Sequence, residues 1–496
     1  MTKARVKSVA IIGAGAAGAV TAAAFKAENY YERIRVFERR EIAGGTWIYD
    51  AEPPTRLPIH PGGLAPEIDP PLQIPTTLPH ISPPNVQERY FQTPIYSSLT
   101  TNVPDIAMCF SDRRFAYGPF APHYVPRQYI ENYFSSHETD KFLELGTTVE
   151  DLSLIPTTTN EGGVGRWKLT LRKYDPIRRV DIWWEETFDA VVLANGHYSV
   201  PYIPHVKGLS EFIANFPNRV IHSKLYRSPQ AYSSKKVLVI GNSASGHDIT
   251  SELVSTASLP VYQSRRTPSR WDGPNPPKGI EWKPTVKEYT PSGRIIFSDD
   301  TYAEDIDTII YCTGYQPSFP FWNATANGRP LYDYTTGRLS RNYWHTFFQD
   351  FPTLGIVGMP RALTFRSFEY QAIALARLWA GRNTAALPPV ADQKRWENER
   401  AERTRREGKK FHDVPWDDGE THAWLGRLFE IAGLGTLGGD GMIPPVLGRD
   451  IVWAIDNVKK YPDPGKEKRE GDDTGMEEGD DGWIVVGREK DSLAFI

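Results

Sequence analysis

The 496-residue chain is long enough for two or three domains with large buried cores. Hydrophobic residues make up 40% and charged residues 24%, and the net charge of −4 gives no electrostatic reason to expect nucleic acid or an anionic membrane as partner. The two cysteines, Cys109 and Cys312, form no CxxC, so neither a disulfide framework nor a metal site is indicated. No apolar run approaches the roughly 20 residues of a spanning helix, and the short apolar start leads straight into glycines. The expectation is a soluble, cytoplasmic protein with no membrane partner.

In chain order, Val9–Ile12 reads as a buried strand, Ala16–Lys26 as an alanine-rich helix, and Ile34–Glu38 as the next strand. Residues 51–85 hold proline at about one position in three, a density that opposes regular helix or central strand. They are either a linker or a structured surface loop. Arg127–His137 suits a helix, and Trp167–Lys173 with Val180–Phe188 suits a β-meander. Asp189–Gly196 is a buried strand ending in a turn. Lys236 opens a second strand–glycine–helix unit, with further strands at Asp307–Tyr311 and Leu354–Val357 and a helix over Phe365–Arg382. Residues 391–410 are so charged that a solvated helix is expected. Residues 462–482, rich in Asp, Glu, Gly and Lys, suit a flexible loop.

Gly13-Ala14-Gly15-Ala16-Ala17-Gly18 fits GxGxxG between a strand and a helix. Gly13 permits the tight turn, Gly15 lets a pyrophosphate approach, and Gly18 lets helix and strand pack closely. The helix N-terminus, with Ala16 and Ala17, offers unpaired N–H groups to phosphates. Glu38 follows Gly18 by 20 residues, where a carboxylate binds ribose hydroxyls and disfavours a 2′-phosphate, so this site suits FAD or NAD. Gly44-Gly45-Thr46-Trp47 is either an ordinary turn or the place where the chain passes a flavin, with Thr46 and Trp47 beside it.

The second motif runs Gly241-Asn242-Ser243-Ala244-Ser245-Gly246-His247-Asp248. Ser243 replaces the middle glycine, and its hydroxyl can add a phosphate hydrogen bond. The following strand ends in Arg265-Arg266 instead of an acid. Paired arginines suit a 2′-phosphate, so this site is assigned to NADPH and the first to FAD; two merely exposed arginines are the alternative. Ser243, Ser245, Gly246, Asp248, Arg265 and Arg266 are the candidate contacts. His247 suits a structural role or a contact at the cofactor's edge.

From about residue 8 to 382 these motifs resemble the flavin-containing monooxygenase family. Phe216–Tyr226 is similar to its fingerprint FxGxxxHxxxY, with Asn218 standing where glycine is usual; asparagine tolerates left-handed backbone better than most residues. Tyr226, where related Baeyer–Villiger enzymes usually show Trp, favours heteroatom oxygenation. Cys312-Thr313-Gly314-Tyr315 resembles the family's later TGY motif. Phe368–Ala372 resembles its final helix motif, where a helix start would aim its dipole at the flavin. Tyr96–Pro104 resembles the segment crossing the flavin face. By that resemblance Thr101 and Asn102 touch the cofactor, and Asn102 holds the oxygen adduct formed at the flavin.

The resemblance implies an α/β fold with two dinucleotide-binding, Rossmann-like domains, the NADPH domain inserted in the FAD domain. The FAD domain would span 1–200 and 311–390, with a proline-rich insertion at 51–90. The NADPH domain would span 201–310, and residues 391–496 would form a C-terminal helical extension with an acidic loop. It implies FAD and NADPH as cofactors, no metal, and a small nucleophilic substrate with O2 as partners. The alternatives are a Baeyer–Villiger or N-hydroxylating enzyme of the same fold, an uncoupled NADPH oxidase, or a non-enzymatic nucleotide binder. A homodimer is compatible with the sequence. The missing apolar tail makes the chain more similar to soluble fungal members than to animal ones.

Overall fold

In the computed structural model, residues 6–53, 57–156, 165–269, 271–382, 384–434, 440–444 and 446–461 are described. The expected acidic loop at 462–482 therefore lies outside the described residues.

Two sheets, a mixed one with a parallel core and a parallel one, organise the chain. The first has seven strands, with Ser8–Ile12 between Ala190–Leu193 and Arg33–Phe37. Its core strands Leu354–Ile356, Ala190–Leu193, Ser8–Ile12, Arg33–Phe37 and Leu143–Glu144 run parallel. Val9, Ile11 and Val36 are fully buried, as expected for a sheet covered on both faces. The helices Ala16–Ala27 and Phe365–Ala380 pack together against it. The second sheet has five parallel strands, with Lys236–Ile240 between Thr308–Tyr311 and Ser258–Ser264. In both sheets the glycine turn follows the strand at which the order reverses. In open α/β sheets such a crevice, beyond the strands' carboxyl ends, is where ligands bind.

The two crossings between the sheets are joined. Val200–Pro201 pairs antiparallel with Tyr315–Gln316, so the outgoing and returning chains form a two-stranded ribbon. The meander is larger than the sequence indicates: Thr147–Ile155, Arg166–Asp175 and Val180–Phe188 are joined by His80–Ser82 on the outer edge. The proline-rich segment thus supplies an edge strand, the one sheet position that tolerates nearby prolines, and one short helical turn, Ala65–Ile68.

Several bounds move. The helix expected at Arg127–His137 is Tyr124–Ser136, and the helix expected over Phe365–Arg382 starts at Phe365 as read but ends at Ala380, with the Phe368 motif one turn inside it. The reading of 391–410 as a solvated helix needs correction. Val390–Glu407 is a helix, but Gln393, Glu397, Arg400 and Thr404 are buried along one face. Gln349 Nε2 donates to Glu397 at 2.8 Å, and Arg400 donates to the carbonyls of Phe411 and Asp413 at 2.8 Å each. A polar stripe can therefore be buried when every member finds a partner.

Candidate functional site

At Gly13 and Gly18 the first glycine turn leaves no space for a side chain. Gly13 has φ of +109°, and a Cβ on it would stand 2.5 Å from the Ala194 carbonyl oxygen. A Cβ on Gly18 would stand 1.9 Å from the Gly13 carbonyl oxygen. Gly15 caps the helix Ala16–Ala27, which has no side-chain cap and no acid in its first turn. Its leading N–H groups and dipole are thus available to an anion. The Gly44-Gly45 turn backs onto this loop: Gly44 N donates to Ala14 O at 3.0 Å, and a Cβ on Gly45 would meet Gly15 Cα at 2.7 Å. Glu38 is buried and accepts from the amides of Ala14 (2.8 Å) and Arg40 (2.9 Å), which fixes its carboxylate beside the turn.

A cleft of about 1030 Å³ opens here. Gly13, Gly15, Ala16, Ala17, Glu38, Thr46 and Trp47 all line it, so seven of the sequence-predicted residues converge. An adjoining cavity of about 660 Å³ extends past Glu38 to Asp69, Arg89 and Val149. Gly18 lines neither cavity; its place is the contact between helix and strand. Thr101 and Asn102 line neither as well. Thr101 is buried and pinned, its amide donating to Ala121 O (2.9 Å) and its hydroxyl accepting from Ala121 N (3.0 Å). Asn102 next to it is exposed.

Several lining residues were not foreseen. His197 and Arg39 border both cavities. Burial, then the charge of Arg361, push the His197 imidazole down to about 4, so it is neutral near pH 7. Arg39 donates to the carbonyls of Arg89 (2.9 Å) and Tyr90 (3.3 Å) and thereby ties the proline-rich segment to the cleft. Asp69, on that segment, is buried, and desolvation raises its pKa against the opposing charge of Arg89. The signal for His197 was its position at the carboxyl end of a parallel strand beside the glycine turn. Nothing in the sequence marked Asp69. Thr364, Phe365 and Phe368 bring the start of the helix Phe365–Ala380 to the cleft, and that helix also lacks an acid in its first turn.

The second motif repeats the geometry. Gly241 has φ of +112°, and Cβ atoms on Gly241 and Gly246 would stand 2.7 Å from Cys312 O and 2.2 Å from Gly241 O. Ser243 caps the helix Ala244–Leu253 without a side-chain capping bond, so its exposed hydroxyl is not spent on the backbone. Ser245 is half-buried on the first turn. The arginines part company. Arg265 pairs with Asp272 at 2.6 Å and stacks 3.4 Å over the Trp282 ring, whereas Arg266 is exposed. Asp248 is occupied by protein donors: the hydroxyls of Tyr96 and Tyr461 and, at 3.2 Å, Lys460 Nζ. None of these residues lines the two cavities of the first site.

The fingerprint residues link the sheets. His222 Nδ1 accepts from Lys224 N at 3.1 Å, which leaves Nε2–H to donate to Gly314 O at 3.0 Å. Burial holds His222 neutral, near 3. Lys224 is buried with only carbonyl acceptors, Ser199 O at 2.6 Å and Tyr90 O at 3.2 Å, and desolvation lowers it to about 7. Asn218 has φ of +68°, the left-handed conformation anticipated for it. Tyr226 donates to Glu252 at 2.6 Å. Cys109 and Cys312 are free and buried. Among the described residues no cluster suited to a metal occurs, and no helix is long and apolar enough to cross a membrane.

Comparison with known proteins agrees with this geometry. The family model described as flavin-binding monooxygenase-like matches residues 85–271 and 278–414, and an NAD(P)-binding Rossmann-like domain model matches residues 11–70. The chain is 31% identical over 455 residues to the flavin-containing monooxygenase iboF of Amanita muscaria, covering 80% of this chain and 82% of that protein. It is 31% identical to the flavin-containing monooxygenase FMO GS-OX5 of Arabidopsis thaliana, covering 76% and 74%. Among solved structures, S-allyl-L-cysteine S-oxygenase from Allium sativum superposes with a TM-score of 0.67 at 26% identity, covering 86% of this chain and 88% of that one.

Proposed function

The chain belongs to the flavin-binding monooxygenase-like family, and on that premise we propose that it uses FAD and NADPH to transfer one oxygen atom from O2 to a soft sulfur or nitrogen centre of a small molecule. It is an oxidoreductase, and its family and its Rossmann-like domain imply flavin and a nicotinamide cofactor.

The observation that carries the reading is the cleft at the first glycine turn. Its floor is backbone: a Cβ on Gly13 or Gly45 would strike neighbouring main chain within 2.7 Å, so the surface accepts the close approach of a pyrophosphate. Two helix N-termini without acids, those of Ala16–Ala27 and Phe365–Ala380, favour negative charge there. Glu38 stands where the ribose of an adenine dinucleotide would lie, which supports FAD without a 2′-phosphate. The cavity beyond it leaves room for the adenine end. The residues present therefore fit a flavin dinucleotide. At the second turn the exposed Arg266 supports a 2′-phosphorylated partner.

A bound flavin, reduced by the nicotinamide cofactor, would supply the electrons and the place where O2 is activated. The chain's own task is to bind, orient and exclude water. Trp47, Phe365 and Phe368 form apolar wall on the cleft, and removing water strengthens every polar contact made inside. Thr101, locked to Ala121, fixes the backbone that presents Asn102. The neutral amide of Asn102 can donate to an oxygen and accept from a ring N–H without adding charge. His197 is neutral near pH 7 and adds no cation beside the cofactor. Oxygen transfer to a good nucleophile needs no protein-bound proton relay.

The sulfur or nitrogen preference rests on Tyr226 and on the names borne by the relatives, one of which is a sulfur oxygenase. The test is a substrate survey. NADPH consumption and peroxide release are followed with thioethers, tertiary amines and cyclic ketones. A thioether or amine should suppress peroxide and yield sulfoxide or N-oxide. Ester from a ketone, with no reaction at sulfur or nitrogen, would favour the Baeyer–Villiger alternative.

A further inference from the structure

The match to the family ends at residue 414, yet the chain beyond it returns to the crevice between the two dinucleotide units. The helix Arg449–Asn457 packs on Asp105–Met108, the short helix that begins three residues after Asn102. Ile451 and Ala454 are buried there, and Trp416 Nε1 anchors the helix by donating to Asp456 at 2.7 Å. Val458–Tyr461 then crosses to the second glycine motif. Lys460 Nζ lies 3.2 Å from Asp248 Oδ2 and 3.4 Å from Thr100 O. The Tyr461 hydroxyl donates to Asp248 Oδ1, and its ring sits 4.5 Å from His247 and 5.0 Å from Trp271, centroid to centroid. One ammonium thus touches both the segment that presents Asn102 and the helix at the nicotinamide-side turn.

We infer that Lys460 and Tyr461 are positioning residues for the nicotinamide dinucleotide: they act through Asp248 to hold the helix Ala244–Leu253 against the Thr100–Asn102 segment. Two physical effects follow from the contacts. Asp248 lies just beyond the first turn of its helix, where its charge opposes a phosphate at the helix N-terminus, and the ammonium at 3.2 Å offsets that charge. Lys460 and Asp248 are mostly shielded, with side-chain exposures of 17% and 14%, so salt screens the pair less than a surface pair. The second effect is geometric. The crosslink fixes the separation of a helix of the second dinucleotide unit and the Thr100–Asn102 segment, which sets how a cofactor held at one is offered to the reacting centre at the other.

This inference rests on the reading of the second motif as the NADPH site, so wild-type NADP+ binding is measured first. A wild-type, FAD-loaded protein that binds no NADP+ would overturn that reading itself. With binding established, NADP+ is titrated into FAD-loaded Lys460→Met, Tyr461→Phe and Lys460→Arg, and peroxide per NADPH and FAD content are recorded. Lys460→Met should raise the NADP+ Kd about tenfold and raise the peroxide fraction, with FAD content unchanged and the melting temperature lowered by a few degrees at most, because Asp248 keeps the Tyr96 and Tyr461 hydroxyls as donors. Tyr461→Phe should move both in the same direction by less, and Lys460→Arg should recover most of the loss. Unchanged Kd and peroxide yield would overturn the inference. Tighter NADP+ binding would also overturn it, because the segment would then be a plug. Loss of FAD from Lys460→Met and Tyr461→Phe alike would overturn it too, because the segment would then serve the stability of the first domain.

Discussion

At the end of the strand Ser258–Ser264, two adjacent arginines have different surroundings. Arg265 is held by Asp272 and the Trp282 ring, while Arg266 is exposed. Selectivity for a 2′-phosphate is therefore expected to rest on Arg266. Arg266→Ala should lower the NADPH-over-NADH ratio of kcat/KM by about tenfold or more, with the NADH value little changed. Arg265→Ala should instead cost about 1–3 kcal/mol of stability, because Asp272 would lose its charged partner while remaining shielded. Asn102 carries a second residue-scale prediction. Asn102→Asp places a negative charge where, on the proposed reading, an electron-rich oxygen is held, so peroxide released per NADPH should rise severalfold while FAD content stays the same. Unaltered coupling would remove Asn102 from the oxygen chemistry. Asn102 is exposed even with Val458–Tyr461 in place, so on the proposed reading the bound cofactors complete the wall around it.

Among the elements, the turn at Asn218 gives the cleanest test of sequence reasoning. Its φ of +68° is the conformation that glycine adopts freely and asparagine tolerates. Asn218→Gly should change stability by less than about 1 kcal/mol, whereas Asn218→Ala should cost about 1–2 kcal/mol. Denaturant titration of the two variants checks the difference. The glycine turns were legible for the same reason: a position where an added Cβ would stand within 2.7 Å of neighbouring main chain admits few residue types, so the constraint is written locally. The helix Val390–Glu407 was misread because its buried face is polar. Gln393, Glu397, Arg400 and Thr404 recur at helical spacing, but hydrophobic periodicity does not register them, and their partners at Gln349, Phe411 and Asp413 lie elsewhere in the chain. The edge strand His80–Ser82 was hidden by its prolines. Asp69 and the Lys460–Asp248 contact were not legible at all, because each depends on residues far apart in sequence meeting at a cavity wall or a crevice.

At the scale of the whole molecule, the two dinucleotide units are joined by the ribbon of Val200–Pro201 with Tyr315–Gln316, by His222 donating to Gly314, and by the C-terminal segment. Burial makes this framework sensitive to acid. His222 and His412 are held near 3 and His197 near 4, and His345 is pushed well below the ordinary range. The unfolded chain protonates its histidines near pH 6.5, so from there down to about pH 3–4 it binds more protons than the folded one. The histidines' contribution to stability is therefore fully present above about pH 6.5 and is lost as the pH falls toward those folded values. The melting temperature should decline steadily from about pH 6.5 to 5, with a smaller rise between about pH 7 and 8 as Lys224, lowered to about 7 in the folded chain, sheds its proton there. A profile flat to about pH 5 would mean that the folded rings take up protons as readily as the unfolded ones, which would contradict their being held neutral by burial.

The central claim is that oxygen from O2 ends in the substrate and not only in peroxide. The most direct measurement is turnover of the FAD-loaded protein with NADPH under isotopically labelled O2, with S-allyl-L-cysteine or N,N-dimethylaniline as trial nucleophile and product mass as readout. The account predicts one labelled oxygen atom in the sulfoxide or N-oxide and NADPH consumption that matches product. Consumption of NADPH with all label recovered in peroxide and water, whichever nucleophile is supplied, would contradict it.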